Sequence, residues 1–312
     1  MTVARTIPDA NLLWRDPALD HLGLAILCTL AYADVFDYPL TPRQIHRYLL
    51  GVPTDYDSVI HTLENSRWAI KRLEHHDGYV TLPQREEIVE LRRRRAEVAA
   101  QMWPRVARYG QAIAALPFVR SVALTGALAV NNVDPGDDFD FLIITAVGRL
   151  WLTRAMVIGF VVRPAARRGD EVCPNYLLTE QALDFEEQNL YTAHELAQMM
   201  PLAGLDIYHR MRRANQWTSR FLPNAGGLPL QGKTAIARPS RASTLAEFAL
   251  GTFVGGQLEQ FERKRKIRRF AAQQDQTETA CFSVDRCKGH FDSNEHAVLL
   301  AFDQRLQALA AL

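Results

Sequence analysis

From Leu22 to Tyr32 the chain runs almost unbroken through apolar side chains, which predicts a helix buried on all sides. Thr41-Pro42 offers a hydroxyl cap followed by proline at a first helical turn, so a second helix is expected over Arg43 to Leu50, stopped by Gly51. A third begins at Thr54 or Asp55, carries Val59, Ile60 and Leu63 on one face, and ends near Ser66. Trp68 to Leu73 and Tyr79 to Leu82 flank His76-Asp77-Gly78, whose Asp-Gly pair suits a tight turn, and together read as a hairpin. A long helix is expected from Gln84 to about Leu116, acidic at Glu86, Glu87 and Glu90 and basic from Arg92 to Arg95.

Further along, short apolar runs at Ser121 to Thr125 and Phe139 to Thr145 read as strands. A helical turn at Gly126 to Ala129 and a polar loop at Asn131 to Gly136 lie between them. A helix over Arg149 to Val162, a strand over Glu171 to Thr179 and a helix from Leu190 to Met200 follow. The last large element is a helix from about Leu245 to Ala272. The pattern divides into residues 1–85, a helical connector 86–115, a mixed unit 116–235 and a helical lobe 236–312. The fold class expected is α+β.

Residues 20–83 have the helix, helix, helix, hairpin order of a winged helix. A DNA reader would need basic or amide side chains on its third helix, yet Thr54 to Ser66 holds Asp55, Asp57 and Glu64 and no Lys or Arg. Residues 1–85 carry eight basic and ten acidic side chains, net −2. Duplex DNA recognition is therefore disfavoured against a structural or protein-contacting role. Over all 312 residues the charge is +1, so no global field draws the chain to nucleic acid or an anionic membrane. The uncharged runs Leu22 to Ala33 and Ala155 to Val162 fall short of the roughly 18 residues a membrane span needs. No basic start followed by an apolar block marks a secretory signal, so a cytoplasmic location is expected, with Cys28, Cys173, Cys281 and Cys287 as free thiols.

The chemistry concentrates in residues 121–145. Asp138 and Asp140 open a strand two residues apart, so both side chains point to one face and can grip a cation. Like charges that close need a positive partner, and oxygen ligands favour a hard ion such as Mg²⁺ or Mn²⁺. Asp137 and Asp138 after Pro135-Gly136 also suit simple turn chemistry, but Asp140 between Phe139 and Phe141 does not.

Thr125-Gly126-Ala127-Leu128-Ala129, followed by Asp137-Asp138-Phe139-Asp140 and the apolar run Phe141 to Ile144, resembles the nucleotidyltransferase superfamily typified by DNA polymerase beta and the small bacterial nucleotidyltransferases. The resemblance covers roughly residues 105–215. It implies transfer of a nucleoside monophosphate from a nucleoside triphosphate to a hydroxyl, with two metal ions and pyrophosphate leaving. On that pattern Asp138 and Asp140 hold metal, and the backbone amides around Gly126 cradle phosphate. The family's serine after glycine is Ala127 here, with Thr125 beside it as a partial substitute. The third carboxylate is expected on the strand Glu171 to Thr179, where alternation places Glu171, Cys173 and Asn175 on one face. Asn175 is central but cannot serve as a carboxylate base, and Glu171 stands at the strand's mouth. The alternative is a non-catalytic relative that senses a nucleotide or binds protein or nucleic acid.

Other features are weaker. His194 and Glu195 are adjacent, about 100° apart on a helix, and Glu195 is expected as a salt-bridged surface residue. Gly232-Lys233-Thr234 imitates the end of a phosphate loop without its upstream glycine. Arg263, Lys264, Arg265, Lys266, Arg268 and Arg269 put six basic residues in seven positions, either a solvated helix face or a contact for RNA, or for the triphosphate if the helix folds back. Cys281, Cys287 and His290 lack the paired spacing of a zinc site, and Lys288 with His290 is a candidate to lean into the site from a short final strand.

Overall fold

The computed structural model describes residues 20–230, 241–271, 282–288 and 291–311. Within them the protein is a mixed α+β structure. The N-terminal unit holds helices α1 (His21–Asp34), α2 (Pro42–Arg47), α3 (Tyr56–Asn65) and α4 (Arg67–Arg72), then strands β1 (Glu74–His76) and β2 (Tyr79–Thr81). The first three starts follow from side-chain caps: Asp20 accepts from the Gly23 amide, Thr41 and Gln44 form a reciprocal capping box, and Asp55 accepts from the Ser58 amide. The stretch expected as the first hairpin strand, Trp68 to Leu73, is instead the helix α4. Trp68 and Ala69 are buried there, one turn of helix placing both against α1.

Helix α5 (Glu87–Ala114) connects to the sheet unit. Its arginines are not all solvated: Arg92 is buried with its guanidinium 3.6 Å from the centre of the Tyr38 ring, while Arg93 pairs with Asp77 and Arg95 with Asp134.

The sheet unit runs β3 (Val119–Leu124), α6 (Gly126–Ala129), β4 (Phe139–Thr145), α7 (Leu150–Val157), a π-helical turn at Ile158–Val162, α8 (Arg163–Ala166) and β5 (Val172–Thr179). Then come α9 (Leu190–Gln198), β6 (Met200–Ala203) and α10 (Leu205–Ala214). The helix expected over Arg149 to Val162 is thus interrupted, and the one expected to reach Met200 gives way to β6. Pro201 can sit in β6 because that strand is an edge. The expected C-terminal helix is broken at Gly251 into α11 (Arg241–Leu250) and α12 (Phe253–Ala271), and β7 (Arg286–Lys288) and α13 (Phe291–Ala310) follow.

The five strands lie in the order β6-β3-β4-β5-β7, with β4 and β5 parallel and the other pairs antiparallel. Alternation along β4 sends Phe139, Phe141 and Ile143 to a core shared with α5 and α7. Leu142 and Ile144 enter a second core that continues through α9 and α13 into α1 of the N-terminal unit. Packing therefore does not stop at residue 85 or at residue 235. The buried Asp34 carboxylate reinforces this junction, accepting from Arg85 Nε at 2.7 Å and from Arg305 Nε of α13 at 2.6 Å. Among the described residues no helix is long and apolar enough to cross a membrane.

Candidate functional site

The site forms where β3 ends and β4 begins. Thr125 lies at the end of β3, its amide donating to the Asp140 carbonyl at 2.9 Å, and Gly126 then turns the chain with φ +68°. A methyl group on Gly126 would stand 2.7 Å from Asp140 Oδ2, so only glycine lets the turn close against that carboxylate. The loop before β4 separates the two readings of its aspartates. Asp137 serves the turn, its carboxylate accepting from the Asp134 amide at 2.9 Å. Asp138 and Asp140 instead line a cavity of about 620 Å³.

One ligand atom each of Asp138, Asp140 and Cys173 lies within 4.8 Å of the other two. Burial and the neighbouring Asp138 charge raise the Asp140 carboxyl to about 7. Burial and Glu171 raise Asp138 above the usual carboxylate range. Burial and Asp140 push the Cys173 thiol up to about 12, so it stands protonated at neutral pH and donates to Asp140. Asp138, Asp140 and Cys173 thus form a group of donors close enough together that one metal ion could be held by all three.

The third position departs from strict alternation. Asp140 pairs with Cys173, but Leu142 pairs with Tyr176, so β5 holds one extra residue between those pairs. Pro174, which lacks an amide hydrogen, lies in that bulge. Cys173 consequently flanks Asp140, while Asn175 lines the cavity outside the three-residue cluster. Glu171 is exposed just before β5, its carbonyl accepting from the Phe139 amide, and it reaches Asp138 only as a neighbouring charge.

The glycine turn is also differently employed than expected. The Gly126 amide donates to the carboxylate of Glu195 on α9, and α6 is only four residues long, too short to present a helix terminus to phosphate. Thr125 is buried, its hydroxyl 3.4 Å from the Asp140 carbonyl, and it does not line the cavity. Ala127 is exposed and does.

Glu195 corrects its expectation as a surface ion pair. It is partly buried and lines the cavity, and burial together with Asp140 raises its carboxyl to about 7. His194 lines the cavity too, stacked on Tyr32 with ring centres 4.2 Å apart. The opposite wall comes from the N-terminal unit through Tyr32, Phe36, Tyr38 and Tyr48. Tyr38 Oη fastens that wall by donating to the Val130 carbonyl at 2.8 Å. These aromatic residues carry no sequence motif, and only packing brings them to the carboxylates.

Arg263, Lys264, Arg265 and Arg268 lie on α12, away from this place. Glu259 of the same helix accepts from the Trp151 and Leu152 amides at the start of α7, which docks α12 on the side of the sheet opposite the cavity. The helix does not fold back toward the carboxylates. Arg265 pairs with Glu262 at 2.6 Å. Lys288 is buried and pairs with Glu187 at 2.9 Å. Gly232-Lys233-Thr234, Cys281 and His290 lie outside the described residues, and Cys287 is buried in β7. No family model, no curated protein and no solved structure matches the chain.

Proposed function

We propose that the protein binds a divalent cation, Mg²⁺ or Mn²⁺, through Asp138 and Asp140, and through it a nucleoside triphosphate whose nucleotidyl group passes to a hydroxyl of an acceptor. On this reading the sheet unit is nucleotidyltransferase-like, the N-terminal unit is winged-helix-like, and the protein works in the cytoplasm. The carrying observation is the placement of Asp138 and Asp140 close together where β4 begins, at a cavity, with Gly126 closed against Asp140. The residues fit such an ion, because two partly buried carboxylates with raised proton affinities share one wall. When bound, it supplies charge neutralisation and polarisation of phosphate oxygens. Asp138 and Asp140 hold it, the Gly126 turn fixes the Asp140 carboxylate, and the aromatic wall limits access of water. No Lys or Arg is among the described residues lining the cavity, so nucleotide binding depends on the cation for its positive charge.

A second reading, a non-catalytic nucleotide-binding protein, draws on Cys173. A thiol stands beside Asp140 where the transfer reaction calls for a carboxylate base. One experiment addresses both. The protein is incubated with each labelled triphosphate and Mg²⁺ or Mn²⁺, with and without RNA, and label transfer and pyrophosphate are followed. Transfer supports the enzyme, and cation-dependent binding without pyrophosphate supports the sensor. Binding that is unaltered in Asp140→Asn, or absent in the wild type, removes the site assignment.

A further inference from the structure

The charges lining the cavity all have one sign. Asp138, Asp140 and Glu195 contribute carboxylates, and among the described lining residues there is no Lys or Arg to offset them. Asp138 and Asp140 cluster with Cys173, but Glu195 stands outside that group, on α9, facing the aromatic wall. Its carboxylate accepts from the Gly126 amide, and a carboxylate has about four acceptor positions. Tyr32 and Tyr191 line the cavity with it, both close enough to Glu195 to feel its charge.

A second, independent feature points to a ligand there. His194 is 5% exposed and lines the cavity, and its Nε2 has no hydrogen-bond partner among the described residues. Gln198 Nε2 lies 3.4 Å from His194 Nδ1. With the Gln198 amide donating to Nδ1, the neutral ring carries its proton on Nε2 and offers an N–H there. Tyr32 covers one ring face at 4.2 Å, and the Tyr48 ring is tilted against it at 5.7 Å. Burial lowers the imidazole to about 3, which keeps it neutral and makes it a poor partner for an anion. A buried N–H without an acceptor costs about 1–3 kcal/mol, which a ligand oxygen removes.

We propose that this end of the cavity binds a small organic ammonium compound that also carries a hydroxyl or ether oxygen. The ammonium sits on Glu195 between the aromatic rings, and the oxygen accepts from His194 Nε2. A cavity of about 620 Å³, lined in part by the N-terminal unit and α13, has room for a small molecule and not for a duplex or a folded chain. That this amine is the acceptor of the nucleotidyl group rests on the proposed transfer reaction; its binding does not.

The test uses the full chain, freed of divalent cations with a chelator, and a matched pair of probes: trans-4-aminocyclohexanol and 1,4-cyclohexanediol. Calorimetry and thermal melting are expected to show millimolar binding of the amine and none of the diol. Glu195→Gln is expected to weaken amine binding about tenfold or more, and His194→Phe by a smaller factor. Asp140→Asn should still bind the amine while losing cation-dependent nucleotide binding, so the two readings fail separately. Equal binding of amine and diol, no binding of the amine, or full amine binding by Glu195→Gln overturns the proposal. The comparison of the two probes in the wild-type protein decides it even where a variant does not fold.

Discussion

Gly126 and Asp140 are in contact across the turn that joins β3 to β4, and the 2.7 Å left for a side chain at Gly126 would be filled by Asp140 Oδ2. The same glycine has φ +68°, a conformation side chains resist. Gly126→Ala is therefore expected to cost about 1–3 kcal/mol of stability. It should also weaken cation binding by displacing the carboxylate. Melting temperature and Mn²⁺ titration of the purified variant measure the two effects, and an unaltered Mn²⁺ affinity would detach the turn from the site.

Cys173 stands beside Asp138 and Asp140, and on the transfer reaction proposed above it takes the place a third carboxylate would fill. If transfer is the activity, Cys173→Asp should raise its rate by tenfold or more, because a positioned base contributes about 10²–10⁴-fold. Cys173→Ala should leave cation binding by Asp138 and Asp140 largely intact. Single-turnover label transfer reads the first expectation and Mn²⁺ titration the second. A rate that falls in Cys173→Asp would show that the thiol itself is required.

Proton linkage gives a third prediction. Asp140 and Glu195 are each raised to about 7, above ordinary carboxylate values near 4. Between about pH 4 and pH 7 the folded chain keeps protons that the unfolded chain has released, so these groups make stability fall as pH rises through that window. Without divalent cation, the melting temperature should drop from pH 5 to pH 8. Mn²⁺ should restore it at the upper end, and Asp140→Asn should flatten the slope. A wild-type slope unaffected by that substitution would mean that other groups govern it.

Glu259 joins α12 to α7 by accepting from two backbone amides, at 3.0 and 2.7 Å. Both amides belong to the first turn of α7, where a carboxylate also suits the helix dipole. Glu259→Ala should destabilise the protein by about 2 kcal/mol, since it removes a buried cap. Denaturant unfolding measures this, and a loss below a few tenths would show that α12 is held by other contacts.

The basic residues on α12 are separated from the cavity by the sheet. Replacing Arg265 and Arg268 by Glu should leave cation-dependent nucleotide binding unchanged within about twofold, because charges beyond a Debye length are screened. The same variant is expected to retain RNA less well and with a shallower salt dependence if α12 contacts a polyanion. A large loss of nucleotide binding would place those side chains in the site after all.

Local chemistry explains which parts were legible from residues alone. The caps at Thr41 and Asp55 and the turn at Asp77-Gly78 act over three or four positions, and the helices and hairpin they delimit are present. β4 is found over its expected residues because alternation about Asp138 and Asp140 requires no distant partner. Trp68 to Leu73 was not legible as a helix. Its apolar residues fit a strand equally well, and only the fit of Trp68 against Gly23, where an added methyl would lie 2.6 Å from the indole, selects the helical turn.

The sequence by itself determined the acidic pair, the glycine turn before it and the strand that carries them, because backbone periodicity and glycine's conformational freedom are properties of adjacent residues. Tertiary structure alone decided what surrounds them. The β5 bulge put Cys173 rather than Asn175 beside Asp140. The register of α9 on the sheet brought Glu195 to the Gly126 amide, and a core continuous with α1 set tyrosines from the N-terminal unit across the cavity. Those contacts join positions up to more than a hundred residues apart, fixed by the packing of whole faces, and no spacing along the chain records them.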